Sequence, residues 1–274
     1  MPDTVTRIGD SLLQHGPANR RVYLMHLAQG DEGEMPARLI SLAQEKGYTK
    51  VIARIPAGAC DPFYAAGFHL EAAIPGLYGG EEDGCFAALF LDPGRSTDPK
   101  VTVERSLLGS GERERSVAIP EGCRIREAGP ADADAVADLY AGTFETYPFP
   151  IDDPAYLRRA MADHVRFFVA EADDGIVAAS SAEIDPEGRN AEMTDLAVRP
   201  AWRGRGLSSA LLQRMERAAR DEGIRTAYTI ARAAWYPVNR LFAGAGYRYS
   251  GTLINNTQIC GRCESMHVWH RRLD

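Results

Sequence analysis

The sequence predicts an α/β fold in which strands alternate with helices, and three observations carry that prediction. Residues 190–198, NAEMTDLAV, read as a strand that passes through a Pro-, Arg- and Gly-rich loop straight into an amphipathic helix. Residues 226–270 continue the alternation of strand, helix and strand. A stretch of the N-terminal third repeats part of the same plan.

Taken in order, RVYLMHL (21–27) is an apolar strand, and EMPARLISLAQEKG (34–47) has apolar positions at helical spacing before a closing glycine. YTKVIARIP (48–56) is a second strand and DPFYAAGF (61–68) a short helix and turn; HLEAAIP (69–75) and CFAALFLD (85–92) are two further strands. Residues 92–123 are rich in charge, Gly, Pro and Ser with no sustained period, the composition of a linker. In the helix that follows the glycine loop, Leu207, Leu211, Leu212, Met215, Ala218 and Ala219 share one face, while Gln213, Arg214, Glu216, Arg217 and Arg220 share the other. TAYTIAR (226–232) is the next strand, NRLFAGAGY (239–247) a short helix, and strands follow near 248–254 and 264–270.

KVIARIPAGACDPFYAAGF and TAYTIARAAWYPVNRLFAGAGY share a plan of strand, short helix, aromatic, three residues, Gly and aromatic. Phe63, Gly67 and Phe68 match Phe242, Gly246 and Tyr247. The repeat divides the chain into an N-terminal domain (1–92), a linker (93–122) and a C-terminal domain (123–274). The loop AQGDEGEMP (28–36) occupies the first repeat's counterpart of the glycine loop. It carries three acidic residues and no Arg–Gly cradle, so it repels a pyrophosphate. The N-terminal domain is therefore expected to shape a substrate pocket or a homodimer interface, not to hold a second catalytic site.

A formal net charge of −7 and a pI near 5.5 argue against a broad nucleic-acid surface, which needs a positive field over its contact face. No apolar run approaches the ~20 residues that span a bilayer, and MPDTVTRIGDSLLQHG lacks a signal-peptide core, so a cytoplasmic location without membrane contact is expected. Cysteines at 60, 85, 123, 260 and 263 do not describe a disulfide framework. The single C-x-x-C of Cys260 and Cys263 has no partner ligand set, so no metal is expected.

The segment Arg203, Gly204, Arg205, Gly206, Leu207 and Ser208 follows the spacing R-x-x-G-x-G/A, with serine in the last place. Gly204 and Gly206 let backbone N–H groups converge on an anion, and the helix N-terminus adds about half a positive charge. No Lys-Ser/Thr follows the glycines, which excludes a Walker loop, and the spacing is not that of a dinucleotide fold.

The order of strand, phosphate loop, helix, strand, helix, Gly-aromatic turn and strand pair resembles the GCN5-related N-acetyltransferase (GNAT) superfamily, in which this loop binds the pyrophosphate of acetyl-CoA. HGPANRRVYLM (15–25), YTKVIARIP, GFHLEAAIPGLYGGEEDGCF (67–86), TYPFPIDDPAYL (146–157) and NNTQICGRCESMHVWH (255–270) together resemble the β-lysine N6-acetyltransferases over nearly the whole chain. The resemblance implies a mixed central sheet flanked by helices, preceded by a half-sized domain of the same type. It implies acetyl-CoA as cosubstrate, no metal, and transfer to the side-chain amine of (3S)-3,6-diaminohexanoate, supplied by lysine 2,3-aminomutase. The product is a compatible solute accumulated under salt stress. Acetylation turns a net +1 diamino acid into a zwitterion of net zero, which can be concentrated without a counterion. The competing readings are another small-amine acceptor and a non-catalytic acetyl-CoA-binding module; the intact loop and Glu192 argue against the module.

An amine with a pKa around 10.4 must lose a proton before it attacks a thioester. Alignment of AEMTDLAV with the superfamily's strand points to Glu192 as the base, with Asp195 second; a regular strand puts the two on opposite faces. The superfamily's oxyanion donor falls around Leu196, Ala197 and Val198, and Asn239 resembles its asparagine beside the pantetheine arm, a residue equally suited to capping a helix. Arg199 either steers the cofactor's phosphates or faces solvent. Many relatives place a tyrosine four residues before the Gly-aromatic turn as general acid, but Phe242 stands there, leaving Tyr236, Tyr228 or water for that role. The candidate acceptor contacts are Glu145, Tyr147 and Phe149, Glu183, and Asn255, Asn256, Thr257, Glu264 and Ser265, with the aromatic residues of TYPFP packing the methylene stem.

Overall fold

The computed structural model describes residues 3–103 and 119–273, so 104–118, the middle of the expected linker, lies outside the described residues. The N-terminal half runs β1 (Thr4–Ile8), β2 (Ser11–Gly16), β3 (Arg21–His26), α1 (Met35–Glu45), β4 (Lys50–Pro56), α2 (Cys60–Ala65), β5 (His69–Tyr78) and β6 (Glu82–Phe90). The C-terminal half begins with β7 (Arg124–Glu127), α3 (Ala133–Ala141), α4 (Pro154–Ala162), β8 (Val165–Ala172), β9 (Gly175–Asp185) and β10 (Asn190–Val198). It continues with α5 (Leu207–Asp221), β11 (Thr226–Arg232), α6 (Tyr236–Gly244), β12 (Arg248–Ile259) and β13 (Arg262–Arg272).

These strands form one mixed sheet in the order β1-β2-β3-β4-β6-β5-β12-β13-β11-β10-β9-β8-β7. The pairs β3–β4 and β10–β11 are parallel, as a helical crossover requires, and the remaining pairs are antiparallel. The order reads the same from either end: β3-β4-β6-β5 on one side faces β12-β13-β11-β10 on the other. In both halves a crossover helix links the parallel pair, a short helix follows, and a hairpin closes the unit. Phe63 and Phe68 meet edge to face at 5.3 Å, and Phe242 and Tyr247 do so at 5.0 Å. The Phe68 amide donates to the Phe63 carbonyl just as the Tyr247 amide donates to the Phe242 carbonyl. The aromatic repeat is thus a turn that lets each short helix fold its end ring back under itself.

The halves join where β5 meets β12, with Ala72 opposite Gly251. A Cβ on Gly251 would lie 2.2 Å from the Glu71 carbonyl oxygen, and its φ of +146° suits glycine alone, so close approach of the two backbones fixes this residue. Beside it Lys50, fully buried, pairs with Glu71 at 2.7 Å and donates to the Ile254 carbonyl at 2.8 Å, while Glu71 accepts the Ile254 amide at 2.9 Å. A shared core of Ile52, Ile74, Leu77 and Phe86 with Tyr228, Leu253, Met266 and Val268 seals the seam. Burying such side chains stabilises by roughly 1.5–3 kcal/mol each, which makes the junction a continuous core and not a loose contact.

Two details depart from the sequence reading. Glu216, expected on the outer face of α5, is 3% exposed and pairs with Arg271 at 3.3 Å, because β13 brings an arginine under the helix. Asp195 interrupts β10: its φ is +55°, and the register with β9 slips between Thr194 and Ala197. Glu192 and Asp195 therefore do not alternate as on a regular strand.

Candidate active site

The bulge opens β10 beside the glycine loop. After Val198 a single turn, Pro200–Trp202, leads to Arg203, whose Nε donates to the Val198 carbonyl at 3.2 Å. Gly204 and Gly206 adopt φ of +75° and +83°, and Gly206 caps α5 with no side-chain bond to the first turn. The first amides of a fifteen-residue helix thus open towards the cavity, where Gly204, Gly206, Leu207 and Ser208 form one wall. Arg205 turns away and stacks 4.8 Å over Trp202. Arg199 is clamped on β9, its Nε donating to the Ile176 carbonyl at 2.9 Å, and borders a separate small pocket.

The cavity, about 2070 Å³, runs from this loop past α6 and the bulge to the seam between the halves. Of the candidate cofactor residues, Leu196, Val198 and Phe242 line it, whereas Ala197 is buried in the core on the α3 side. Asn239 is 1% exposed and fully engaged: Nδ2 donates to the carbonyls of Arg232 and Trp235, and Oδ1 accepts from Trp269 Nε1 at 2.9 Å. It ties the first turn of α6 to β11 and β13 from inside the helix; the N-cap position belongs to Trp235, which makes no side-chain cap bond, so Asn239 is not the helix cap the sequence allowed. Tyr236, 41% exposed, is at the cavity mouth. Tyr228 is buried, and its hydroxyl accepts a short hydrogen bond from Arg54, which removes it from the thiolate side.

Three carboxylates face the far end. Glu183 on β9 and Glu192 on β10 are register partners, so their side chains stand side by side on one face. Burial pushes Glu192 up to about 7, helped by the Asp195 charge and opposed by Arg54 and by a hydrogen bond from Tyr228. Glu183 is pushed up to about 8 by burial and by the charges of Glu192 and Asp195. Asp195 is 8% exposed and accepts from Tyr147 at 2.6 Å and Ser181 at 2.5 Å. Burial still raises its pKa, but its oxygens are committed to holding the 146–150 loop against the bulge. That leaves Glu192, with Glu183, as the carboxyl chemistry free to meet an amine.

Of the other acceptor candidates, Tyr147, Phe149, Asn256 and Thr257 line the cavity. Glu145 instead lies against Gly261, and Glu264 is paired with Arg232 at 3.0 Å and Arg262 at 2.5 Å. Asn255 donates to the carbonyls of Arg95 and Thr97, and Ser265 donates to Asp98, so both hold the start of the linker segment.

The sequence reading offered the N-terminal domain as shaping a substrate pocket or a dimer interface but named none of its residues that line the cavity: Arg21, Tyr23, Met25 and Arg54. Arg54 donates from Nε to the Met25 carbonyl at 3.0 Å and sits 5.8 Å over the Tyr228 ring. The signal was present in KVIARIP, where one arginine interrupts a buried apolar strand and must find a polar partner.

Known proteins with similar sequences give this geometry a setting. The acetyltransferase (GNAT) family profile matches residues 133–247. The chain is 35% identical over 272 residues, 98% of each chain, to the β-lysine N(6)-acetyltransferase of Methanococcus maripaludis. It is 30% identical over 268 residues, 96% of each chain, to the N-acetyltransferase YodP of Bacillus subtilis. Among solved structures, an N-acetyltransferase from Staphylococcus aureus Mu50 overlaps 56% of this chain and 99% of its own, with a TM-score of 0.49 and 22% identity. With its phosphate-type loop, bulged strand and full-length relatives, the chain belongs to the acetyltransferase (GNAT) family.

Proposed function

We propose that the protein transfers the acetyl group of acetyl-CoA to the N6 amine of β-lysine, (3S)-3,6-diaminohexanoate, giving N6-acetyl-β-lysine. The observation that carries this reading is the full-length likeness to a β-lysine acetyltransferase, which includes the N-terminal half that closes the cavity. In this reading 1–92 is a domain that walls the acceptor site, 93–122 a linker and 123–274 the catalytic domain. The reaction follows a lysine 2,3-aminomutase in the cytoplasm and makes an osmolyte. Among the described residues no helix is long and apolar enough to cross a membrane.

The loop fits acetyl-CoA: Gly204, Gly206 and Ser208 at the uncapped N-terminus of α5 would hold its diphosphate, and the opening at the bulge would receive the pantetheine arm. The bulge takes Asp195 and Leu196 out of their pairing with β9, so a backbone N–H there is available to the thioester oxygen. Glu192, ionised above its raised pKa, accepts the proton of the substrate ammonium directly or through water. The neutral amine attacks the thioester carbonyl, the oxyanion rests on the backbone N–H, and its collapse expels the CoA thiolate. As the amide forms, the nitrogen gives up its second proton, which passes by way of water or Tyr236 to the departing thiolate, since Phe242 has no proton to relay. Glu183, pushed up to about 8 and so mostly protonated at neutral pH, stands beside Glu192 as a second carboxyl facing the acceptor amine.

The test is release of CoA thiol from acetyl-CoA with β-lysine, α-lysine, ornithine or spermidine as acceptor. A clear preference for β-lysine supports the assignment. Equal or absent turnover with all four returns the acceptor to the wider family.

A further inference from the structure

Arg21 and Asn256 sit where β3 of the N-terminal half meets β12, and both line the cavity. Arg21 is 4% exposed, and no carboxylate pairs with it among the ion pairs of the described residues. Its NH1 donates to the Asn256 carbonyl at 2.6 Å and to Thr257 Oγ1 at 3.0 Å, and its NH2 donates to Gln14 Oε1 at 3.2 Å. Its Nε has no partner. Asn256 is 3% exposed; its Nδ2 donates to Thr257 Oγ1 at 3.2 Å, and its Oδ1 has no partner. A buried cation without a counter-charge and a buried acceptor without a donor are each costly, and here they are neighbours on one cavity wall.

We propose that Arg21 and Asn256 form the receptor for the zwitterionic head of the acceptor, with Arg21 taking the carboxylate and Asn256 Oδ1 the ammonium that is not acetylated. This rests on the β-lysine reading and extends it to the end of the molecule remote from the reacting amine. An acid carrying its spared amine on the β-carbon presents an anion and a donor side by side, the complement of the two orphaned atoms. Along β3, Arg21, Tyr23 and Met25 share a face, and Arg54 on β4 follows Ala53, the partner of Leu24. Arg21 and Arg54 are therefore separated by about 13 Å along the strands. Arg54 marks the Glu192 end of this face and Arg21 the other, a span on the scale of an extended six-carbon diamino acid. Tyr23 stands between them and feels the charges of Arg54, Glu192, Arg21 and Glu183. Burial holds the Arg21 guanidinium down at about 10, which still leaves it charged at neutral pH, ready for a carboxylate.

The experiment crosses two substitutions with two trimmed acceptors. Pentane-1,4-diamine is β-lysine without its carboxylate, and 6-aminohexanoate is β-lysine without its 3-amine; both keep the reacting amine. Arg21→Lys is expected to cut the preference for β-lysine over pentane-1,4-diamine, read as the ratio of kcat/KM values, by about 10- to 100-fold, mainly through KM. Asn256→Leu is expected to cut the preference for β-lysine over 6-aminohexanoate by about 5- to 10-fold. Turnover of the trimmed acceptors reports that each variant is folded. Unchanged preference ratios, or a loss that falls equally on all three acceptors, overturn the receptor while leaving β-lysine acetylation intact. Wild-type protein that acetylates none of the three overturns the underlying function as well.

Discussion

Glu192 is a residue whose removal should damage activity and raise stability together. Its carboxyl is held at about 7 against an ordinary 4.5, chiefly by burial. Between those pH values the folded protein keeps a proton that the unfolded chain has released, so stability falls as pH rises through the window and the full cost is present above it. A shift of about 2.5 units corresponds to roughly 3 kcal/mol. Glu192→Gln deletes that cost, but Arg54 loses part of its counter-charge, so a net gain of about 1–2 kcal/mol is expected at pH 8. In a chain of this size that is a Tm increase of roughly 2–8 °C. At pH 4.5, where the folded wild type carries the proton and the unfolded chain carries it about half the time, the burial cost should shrink to about 0.4 kcal/mol. Thermal denaturation of both proteins at pH 4.5 and pH 8 measures this directly. The same variant should lose about 100-fold in kcat if Glu192 is the general base. A variant that is no more stable at pH 8 than the wild type, or that keeps its kcat, would refute the assignment of Glu192 as a buried, functionally strained carboxyl.

Other consequences follow from single contacts. Arg54→Met removes the cation that lowers the Glu192 pKa, so the acid limb of the kcat–pH profile should move to higher pH by about one unit; an unmoved limb separates Arg54 from the base. Gly206→Ala places a Cβ at a φ of +83° at the N-cap of α5, and a penalty of about 1 kcal/mol should appear as a KM for acetyl-CoA raised about 5-fold, with the KM for the amine unchanged. Gly251→Ala drives a Cβ to 2.2 Å from the Glu71 carbonyl at the seam and should cost about 3 kcal/mol, seen as a fall in Tm of roughly 6–12 °C.

The parts of the fold that were legible in the sequence are those whose pattern is local. The glycine loop, the apolar face of α5 and the Phe63–Phe68 and Phe242–Tyr247 turns each state their geometry within a dozen residues. The β1–β2 hairpin did not announce itself, because β1 is almost wholly exposed and has no core face to set a period. The Asp195 bulge was hidden for another reason: an aspartate at a φ of +55° is rewarded by Tyr147 and Ser181, one of them nearly fifty residues away in the chain. Asn239 read as both ligand contact and cap, and its three engaged hydrogen bonds show instead a clasp between α6, β11 and β13. Arg21 and Arg54 were visible as charges in apolar strands, yet the place of Arg54 by Glu192 and of Arg21 by Asn256 depends on the junction of β5 with β12, which no short segment encodes.

The central claim is that one particular nitrogen of one particular diamine receives the acetyl group. Incubation of the purified protein with acetyl-CoA and (3S)-β-lysine, followed by proton NMR and mass spectrometry of the product, tests it most directly. The account predicts a single monoacetylated species bearing the new amide on C6 with the 3-amine free. Acetylation at the 3-amine, a mixture of both products, or turnover no faster than that of α-lysine would contradict it.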